Sequence, residues 1–433
     1  MSATDSVLNA QNESPSEADI VIVGGGMVGL CLALMLGKAC RHWQIRLIET
    51  FPFPTSGTNA LYQPSFDARS SAIAAGSKDM FERLGVWHKL KLHATEVATV
   101  HVSDKGHIGG STMTAEEYDE PALGYVIDNK WLGQCLFDAV SQLESVQIQA
   151  PASVSNIKAV SEGYRLSVTD SNDDREHSLK TRLLVLADGA NSQLKKTLGI
   201  DLDVKDYQQT AIIANVGFSQ PHCGVAFERF TANGPMAILP RGESGKAREG
   251  ALIWTMPHQA VDKLLNSSEE EFLSRLQEAF GDRLGRFTRI GEKSHYPLKL
   301  YQASEQVRGH LAIMGNAAHA LHPVAGQGFN LSVRDCALLT DTLHKNWLQS
   351  DSPFANLTCM QQYLRSRQSD QFTTIQFSHW LPKLFSTSAL PAAAARGAGL
   401  LGLELLPLGK KQLAQQSMGR VGRRANFGAL FER

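Results

Sequence analysis

The sequence lacks any uninterrupted apolar run of roughly 20 residues, the length that a helix needs to cross a bilayer. It also lacks an excess of either charge, since 42 lysines and arginines balance 43 aspartates and glutamates to a net charge of −1. Such a balance gives no support to a nucleic-acid partner or to strong electrostatic steering. We therefore expect a soluble or peripheral protein that does not bind nucleic acid.

Paired cysteines are missing as well. The chain has six cysteines with no C-x-x-C pair and no zinc-ligand spacing among them: Cys31, Cys40, Cys135, Cys223, Cys336 and Cys359. No signal peptide precedes the first apolar segment. We therefore expect reduced thiols in a cytoplasmic protein that holds no metal.

What the sequence does contain is a glycine-rich turn between a strand and a helix. A β-branched run at residues 20–23 predicts a buried strand, and the apolar segment 27–36 predicts a helix. Gly24, Gly26 and Gly29 stand between and within them at G-x-G-x-x-G spacing. Glycine serves there for the tight turn, the close approach of a diphosphate and the close packing of helix on strand. The pattern predicts a dinucleotide site at a helix N-terminus.

An acidic residue follows the next predicted strand. Residues 45–48 predict this strand, and Glu49 comes directly after it. A carboxylate at this distance from the glycines commonly accepts hydrogen bonds from ribose hydroxyls. Glu49 therefore favours an adenosine ribose with a free 2′-hydroxyl, as in FAD or NAD, over a 2′-phosphate.

Two further turns join a predicted strand to a predicted helix. Residues 181–188 predict a buried strand that ends in Asp188, and Gly189 follows it. Far along the chain, residues 326–328 form a Gly-Gln-Gly turn ahead of a long helix that we expect to begin near Asn330. Helix N-termini of this kind bind phosphates and stabilise negative charge on a cofactor ring.

The other segments complete the expected fold. Residues 70–84 and 129–143 predict helices, whereas residues 95–102 predict a strand. Residues 210–301 predict long antiparallel strands interrupted by a polar helical insert at 267–285. The sequence thus predicts an α/β fold with a Rossmann-like domain, an antiparallel-sheet substrate domain and a helical C-terminal region.

Three segments taken together resemble one protein family. They are VIVGGGMVGL at 21–30, VLADGANS at 185–192 and MGNAAHALHPVAGQGFNLSVRD at 314–335. They are similar to the FAD-dependent aromatic hydroxylases of the p-hydroxybenzoate hydroxylase class, and more closely to the ubiquinone-biosynthesis hydroxylases. Within the third segment, LHPVAGQGFN is most similar to the 2-octaprenyl-6-methoxyphenol hydroxylases of that family. Asn316 stands where the class more usually has aspartate, and its amide can still bond a ribityl hydroxyl.

The resemblance implies FAD as the cofactor and assigns residues to it. The residues that it places at the cofactor are Gly24, Gly26, Gly29, Glu49, Arg69, Gln134, Asp188, Gly189, Gly315, Asn316 and Asn330. The residues that it places around the reacting oxygen are Pro323, Gly326, Gln327 and Gly328. The aromatic substrate would be walled by the second-domain strands around Phe227, Phe230, Pro235 and Ile238.

The implied activity is that of a monooxygenase. By resemblance, NADPH or NADH reduces FAD, O2 adds at C4a to give a hydroperoxide, and a hydroxyl passes to the ring of a polyprenylated phenol. The chain has no second Rossmann glycine motif, so we expect the nicotinamide to bind transiently. Because such a substrate is lipophilic, the protein could also contact a membrane peripherally or associate with other ubiquinone-biosynthesis proteins.

The expected domain organisation alternates along the chain. FAD-binding segments are predicted at 18–94, 131–204 and 305–350. Substrate-domain segments are predicted at 95–130 and 205–304, and residues 351–433 are predicted to form the C-terminal helical region.

Several alternatives stay open at this level. The same fold could serve a flavin dehydrogenase or reductase that never transfers oxygen, or a non-catalytic flavoprotein that acts as an assembly partner. His319 and His322 could suggest a metal, but loop histidines packed near a cofactor explain them better. The sequence does not identify a base for the phenol, and these two histidines are no more than candidates for that role. Residues 389–413 predict either a core or lid helix, or a surface helix that admits an apolar substrate from a bilayer.

Overall fold

The computed structural model describes residues 16–53, 69–105, 110–243, 245–321, 326–349, 354–386 and 407–420. The strands, in chain order, are β1 (Ser16–Val23), β2 (Ile45–Ile48), β3 (Ser70–Ala74), β4 (Ala94–Val97), β5 (Thr99–Asp104), β6 (Gly110–Thr114), β7 (Gly124–Asp128), β8 (Val146–Gln149), β9 (Ala152–Val160), β10 (Gly163–Asp170), β11 (Glu176–Leu186), β12 (Leu202–Phe218), β13 (Val225–Thr231), β14 (Gly234–Arg241), β15 (Glu249–Pro257), β16 (Phe287–Ile290), β17 (Ser294–Ala303), β18 (Val307–Arg308), β19 (Leu311–Ile313) and β20 (His319–Ala320). The α-helices are α1 (Met27–Ala39), α2 (Ala75–Arg83), α3 (Trp87–Leu90), α4 (Asn129–Ser141), α5 (Gln193–Thr197), α6 (His258–Leu265), α7 (Glu269–Phe280), α8 (Gln327–Leu348), α9 (Leu357–Ser386) and α10 (Pro407–Ser417).

A largely parallel sheet carries the glycine-rich turn. Its main order is β18-β19-β11-β1-β2-β8, with β19, β11, β1, β2 and β8 parallel and the β9–β10 pair attached to β11. Parallel strands end at a common edge, which is where α/β proteins bind their ligands. The residues that follow β1, β2, β11 and β19 therefore gather at this edge: Gly24, Glu49, Asp188 and Gly315.

Helix α1 is apolar on nearly every side because it is covered on nearly every side. Its residues from Gly29 to Gly37 are all buried, since α1 packs between the parallel sheet, α4 and α8. The other face of the sheet packs on residues of β9 and β10, among them Leu166 and Val168. Burial on both faces explains why the second half of β1, residues 20–23, is a continuous β-branched run.

A second, nine-stranded sheet has the order β20-β17-β12-β15-β14-β13-β5-β6, with β16 paired to β12. Its pairs are antiparallel except for β13 and β5. Helices α6 and α7 cover one face, where Met236, Leu252 and Phe272 share a core. The opposite face is left to the cavity described below.

The structure corrects three local predictions. Residues 70–74 form a strand rather than a helical turn, because β3 pairs with β7 in a separate three-stranded sheet with β4. Strand 95–102 is broken at Ala98, since β4 joins that small sheet and β5 joins the large one. The long helix begins at Gln327, not near Asn330, because Gly326 adopts a φ of +60° directly before it.

The predicted fold class is confirmed: a parallel α/β sheet, an antiparallel sheet and a helical C-terminal region are all present. The prediction for 389–413 falls mostly outside the described residues, and the division into six chain segments stays a prediction. Among the described helices, none combines the length and the apolar character that crossing a membrane requires.

Candidate active site

A cavity of about 1260 Å³ lies between the parallel-strand edge and the open face of the large sheet. Ordinary small-molecule pockets measure about 300–1000 Å³, so this one has room for more than one ligand. The strand-edge side of the cavity is built from the turns that follow β1, β2 and β11 and from the start of α8. The other side is mainly apolar and is lined by residues that include Val100, Val102, Ala226, Phe230, Ala237, Leu239 and Ile253.

The glycine turn is packed too tightly for side chains. Gly24 has a φ of +104°, and a Cβ there would lie 2.5 Å from the carbonyl oxygen of Ala187 on the neighbouring strand. A Cβ on Gly29 would overlap the carbonyl oxygen of Gly24. Gly26 is the N-cap of α1 and lines the cavity, and no side chain of the described residues caps the helix there. The first N–H groups of α1 are therefore left for a ligand, as an anion site requires.

Glu49 lines the cavity and also holds the glycine turn in place. Its Oε2 accepts the Gly25 N–H at 2.6 Å, and its Oε1 accepts the Phe51 N–H at 2.9 Å. Each carboxylate oxygen has a further lone pair, so these two bonds leave acceptor capacity for a ribose hydroxyl.

Asp188 presents a buried acceptor that the protein does not satisfy. Its Oδ1 has no hydrogen-bond partner among the described residues, and the residue lines the cavity. Burial raises the pKa of the carboxyl above its ordinary value, although Ser192 and Lys195 oppose this shift. Gly189 lies beside it with a φ of +89° and open space where a Cβ would be. An orphaned acceptor at the end of a parallel strand fits a hydroxyl or amide donor of a bound cofactor.

Lys195 is a residue that the sequence analysis missed. Its buried Nζ donates to the carbonyl oxygens of Ala190 (3.1 Å) and Ala317 (2.8 Å), and burial lowers its pKa. It thereby joins the loop after β11 to the 3₁₀ turn Gly315–Ala317. A lysine in a polar Gln-Leu-Lys-Lys stretch reads as a surface residue, so nothing in the sequence singled it out.

The 3₁₀ turn after β19 also borders the cavity. Asn316 is exposed to the cavity and makes no hydrogen bond with any described residue. Gly315 lies behind it with a φ of +60°, packed toward Val28 and away from the cavity lining. The amide of Asn316 is therefore available to a ligand, as predicted for a ribityl contact.

The start of α8 is fastened to β3 by Asn330. The Asn330 side chain accepts from the Ala74 N–H at 2.9 Å and donates to the carbonyls of Ala72 (2.7 Å) and Gly326 (2.9 Å). These bonds use most of the capacity of its amide, which here positions the turn, and its role as a cofactor ligand stays a prediction. Gln327 lines the cavity and donates to the Ser417 carbonyl of α10 at 3.3 Å.

The other predicted site residues fall in different places. Gly328 lines the cavity and has open space around a would-be Cβ. Arg69 also lines the cavity, with its guanidinium 5.3 Å from the ring centroid of Tyr296. Gln134 does not line it, and donates instead to Asp138 at 2.7 Å within α4. Pro323 lies outside the described residues.

A buried charge cluster braces the helix that begins at the cavity. Asp335 of α8 contacts Arg367 of α9 and lies 3.2 Å from Nε2 of His319. Asp370 joins them through Arg367 (2.7 Å) and through a two-pronged pair with Arg334 at 2.7 and 3.1 Å. Burial, the largest single influence, opposes ionisation of Asp335, but the Arg367 charge and the hydrogen bonds with His319 and Arg367 together outweigh it and lower the pKa of the carboxyl.

His319 therefore pairs with Asp335 in a structural role. It does not line the cavity, and it forms no metal-ligand group with other described residues. His322 lies outside the described residues. The predicted substrate wall is partly corrected: Phe227 and Phe230 line the cavity, whereas Ile238 faces α6 and α7 in the core of the large sheet. Pro235 is likewise absent from the lining.

Comparison with known proteins places this geometry in a family. Residues 17–349 match the family described as FAD binding domain. An uncharacterized protein of Synechocystis sp. is 33% identical, over 96% of each chain. Ubiquinone hydroxylase UbiL of Rhodospirillum rubrum is 31% identical, over 93% of this chain and 90% of its own. The p-nitrophenol 4-monooxygenase PnpA from Pseudomonas putida shares the fold, with a TM-score of 0.74 at 18% identity over 94% of this chain and all of its own. The chain belongs to the family of FAD-dependent aromatic-ring monooxygenases that includes the ubiquinone hydroxylases.

Proposed function

We propose that this protein hydroxylates the aromatic ring of a polyprenylated phenol in ubiquinone biosynthesis, with NADH or NADPH as electron donor. One observation carries the proposal: a single large cavity has dinucleotide-type turns on one side and an apolar sheet face on the other. A cofactor and an apolar aromatic ring can share such a space. The relative named ubiquinone hydroxylase, aligned over most of both chains, supports the same class of substrate.

The residues around the cavity fit FAD. The α1 N-terminus at Gly26 would hold the diphosphate, and Glu49 would hold the adenosine ribose. Asp188 and Asn316, whose free polar atoms face the cavity, would bond the diphosphate side and the ribityl chain. The α8 N-terminus, at Gly326 to Gly328, would lie against the flavin ring. When bound, FAD supplies electron transfer and oxygen activation.

The protein's own contribution is orientation and exclusion of water. The apolar sheet face would seat the phenol ring, and Gly326, Gln327 and Gly328 would shape the backbone around the reacting oxygen. Pro323 belongs to the same proposal by resemblance. An apolar wall that excludes water would protect a reactive oxygen species from decomposition by proton transfer from solvent.

Within this class we favour a 2-polyprenyl-6-methoxyphenol as the substrate. The support is the similarity of the segment at 321–330 to the hydroxylases of that compound. So lipophilic a substrate also favours peripheral contact with a membrane and association with other ubiquinone-biosynthesis proteins. Short-chain 2-prenyl-6-methoxyphenol and 2-prenylphenol would test the choice when offered separately.

The decisive experiment follows oxygen from O2 into product. Purified protein, checked for released FAD by mass spectrometry, is incubated with NADPH or NADH, ¹⁸O2 and each short-chain phenol. We expect a product heavier by one ¹⁸O atom, and none of the label when only the water is labelled. Flavin reduction without labelled product would support a reductase instead. Bound FAD with neither reaction would support a non-catalytic partner.

A further inference from the structure

One acidic side chain stands in the apolar wall of the cavity. Glu228 lies in the middle of β13, and the strand register pairs it with Val102 of β5 and Ala237 of β14. Ala237 pairs in turn with Ile253 of β15. All four residues line the cavity. Glu228 is therefore a carboxyl whose neighbours in this row, Val102, Ala237 and Ile253, are all aliphatic.

The alternation of β13 aims this carboxyl at the cavity. Ala226 and Phe230, two residues before and after it, line the same cavity. Phe227, one residue before, also contributes to the cavity lining, but its ring packs edge-on against Phe280 of α7 on the covered side of the sheet, with ring centroids 5.5 Å apart. Side chains two apart on a strand share a face. Glu228 thus points toward the place proposed for the substrate ring.

Apart from the sheet pairing of its backbone, Glu228 has no partner: no described residue forms a hydrogen bond or an ion pair with its carboxyl group. The nearest hydroxyl on its row is that of Ser111 on β6, two strands away and so about 10 Å distant. With no partner to offset it, burial raises the pKa of the Glu228 carboxyl to about 8. The family fold alone does not require an acid here, because an aliphatic residue would fill the row equally well.

Charged groups on the neighbouring elements are engaged elsewhere. On β5, His101 sits beside the ring of Phe227 and within reach of Arg283, on the α7 side. Arg229 of β13 donates to the Ala279 carbonyl on that same side. On α9, which packs on β13, His379 is bonded to Lys205 and Tyr207 of β12. The remaining titratable groups that line the cavity lie on other elements: Glu49, Arg69, Tyr125, Asp188, Tyr296, Lys299 and Tyr301.

We propose that Glu228 is the catalytic base that binds the substrate's phenol hydroxyl and removes its proton. In this step the phenol O–H bond breaks, its electron pair stays on the phenol oxygen, and the proton forms an O–H bond with a carboxylate oxygen of Glu228. No oxidant or reductant is involved. The phenolate is richer in electrons at its ring carbons, which prepares the ring to accept an electrophilic oxygen. This inference rests on the proposed function.

The unusual environment makes the carboxyl suited to this task. A phenol has a pKa of about 10, so transfer to an ordinary glutamate is unfavourable by more than about 10⁵-fold. With the pKa of Glu228 at about 8, transfer of the same proton is unfavourable by only about 100-fold. General bases work best when their pKa lies near the working pH. A protein raises the pKa of a carboxyl into that range by placing it in an apolar wall without hydrogen-bond or charge partners.

The test compares Glu228→Gln with the parent, using two phenol probes. One is short-chain 2-prenylphenol, and the other is its ring-fluorinated, more acidic analogue. Glu249→Gln is the matched control, because Glu249 lies on β15 of the same sheet but is exposed and paired to Arg289. FAD content and the circular dichroism spectrum establish that each variant is folded and loaded.

For Glu228→Gln we expect unchanged FAD content and a loss of kcat of about 10²–10⁴-fold with the ordinary phenol. The loss should shrink at least tenfold with the more acidic phenol, which needs less help from a base. The rise of kcat with pH, centred near 8 in the parent, should move toward the phenol's own pKa of about 10. Glu249→Gln should behave as the parent.

Three results would overturn the proposal while leaving the proposed function standing. They are an unchanged pH profile in Glu228→Gln, an equal loss with both phenols, or no loss at all, each beside a parent enzyme that inserts ¹⁸O. Failure of the parent itself to insert ¹⁸O would instead reject the proposed function, on which this role depends.

Discussion

Replacing Glu228 by glutamine should make the flavin-free protein more stable, and increasingly so as the pH rises. The folded protein keeps Glu228 protonated up to a pKa of about 8, whereas the unfolded chain releases that proton near 4.5. Between these values the folded state binds the extra proton, so its free energy of unfolding falls as the pH rises. Glutamine has the same shape, cannot ionise and therefore lacks this loss.

The size of the effect follows from the two pKa values. Each pKa unit is worth about 1.4 kcal/mol, so the destabilisation from Glu228 is about 1 kcal/mol at pH 5 and about 3 kcal/mol at pH 7. It approaches about 5 kcal/mol well above pH 8. Below pH 4 both states bind the proton, and the pH-dependent difference should vanish.

Urea unfolding of flavin-free parent and variant, measured at pH 4, 5, 7 and 8.5, would check this. The difference between the two proteins cancels every other titrating group. Glu249→Gln, exposed on the same sheet, serves as the control and should show no such growing difference. A difference for Glu228→Gln that stays flat across the pH range would refute the isolation of this carboxyl, whatever its role in catalysis.

Three other changes probe the cofactor edge and its support. Gly29→Ala should abolish FAD retention and destabilise the protein by about 1–3 kcal/mol, because the added Cβ would overlap the backbone. Fluorescence titration with FAD tests this, and Gly291→Ala, where a Cβ makes ordinary contacts, is the control that should change neither property. Arg367→Met should lower the free energy of unfolding by about 3–5 kcal/mol, because it leaves buried carboxylates unpaired, whereas the exposed Arg289→Met should lower it by less than about 1 kcal/mol. Equal losses of the two variants in urea unfolding would contradict the role given to the buried charge cluster. Asp188→Asn should raise the melting temperature of the flavin-free protein, because it removes a buried acid, yet weaken FAD binding about 10- to 100-fold, because it changes the unpartnered acceptor. An unchanged affinity for FAD would remove this residue from the cofactor site.

The nucleotide-binding edge could be predicted from the sequence because its requirements are local. A strand, the glycines at 24, 26 and 29, and a helix lie within a few turns of chain, and the tightest contact, Gly29 against the Gly24 carbonyl, is made inside that unit. Glu49 lies one strand further along, and β2 pairs directly with β1. Short-range geometry of this kind leaves a fixed spacing in the sequence.

Contacts between distant segments left no such spacing. Asn330 bonds the backbone of Ala72 and Ala74, more than 250 residues away, and this clasp depends on residues 70–74 being a strand. Read alone, Ser-Ser-Ala-Ile-Ala continues smoothly into the helix that follows it. Only pairing with β7 turns it into β3, and pairing is a property of the whole fold. The same holds for Lys195, whose buried role depends on where the turn at Ala317 arrives.

Glu228 shows why a chemically decisive residue can stay hidden in a strand. In β13, Glu228 and Arg229 stand side by side in an otherwise largely apolar strand, so one charge falls on each face and the sequence pattern does not tell which face meets water. Nothing in that pattern distinguishes Glu228 from an ordinary solvated glutamate. In the structure neither face is open to bulk solvent in that way, because α7 covers one and the cavity wall is the other. A charged residue on the face that a ligand must occupy costs stability unless it has a use there. That cost is a measurable free energy, and its presence in a wall otherwise built of aliphatic side chains is the physical reason to connect Glu228 with the phenol and not with the fold.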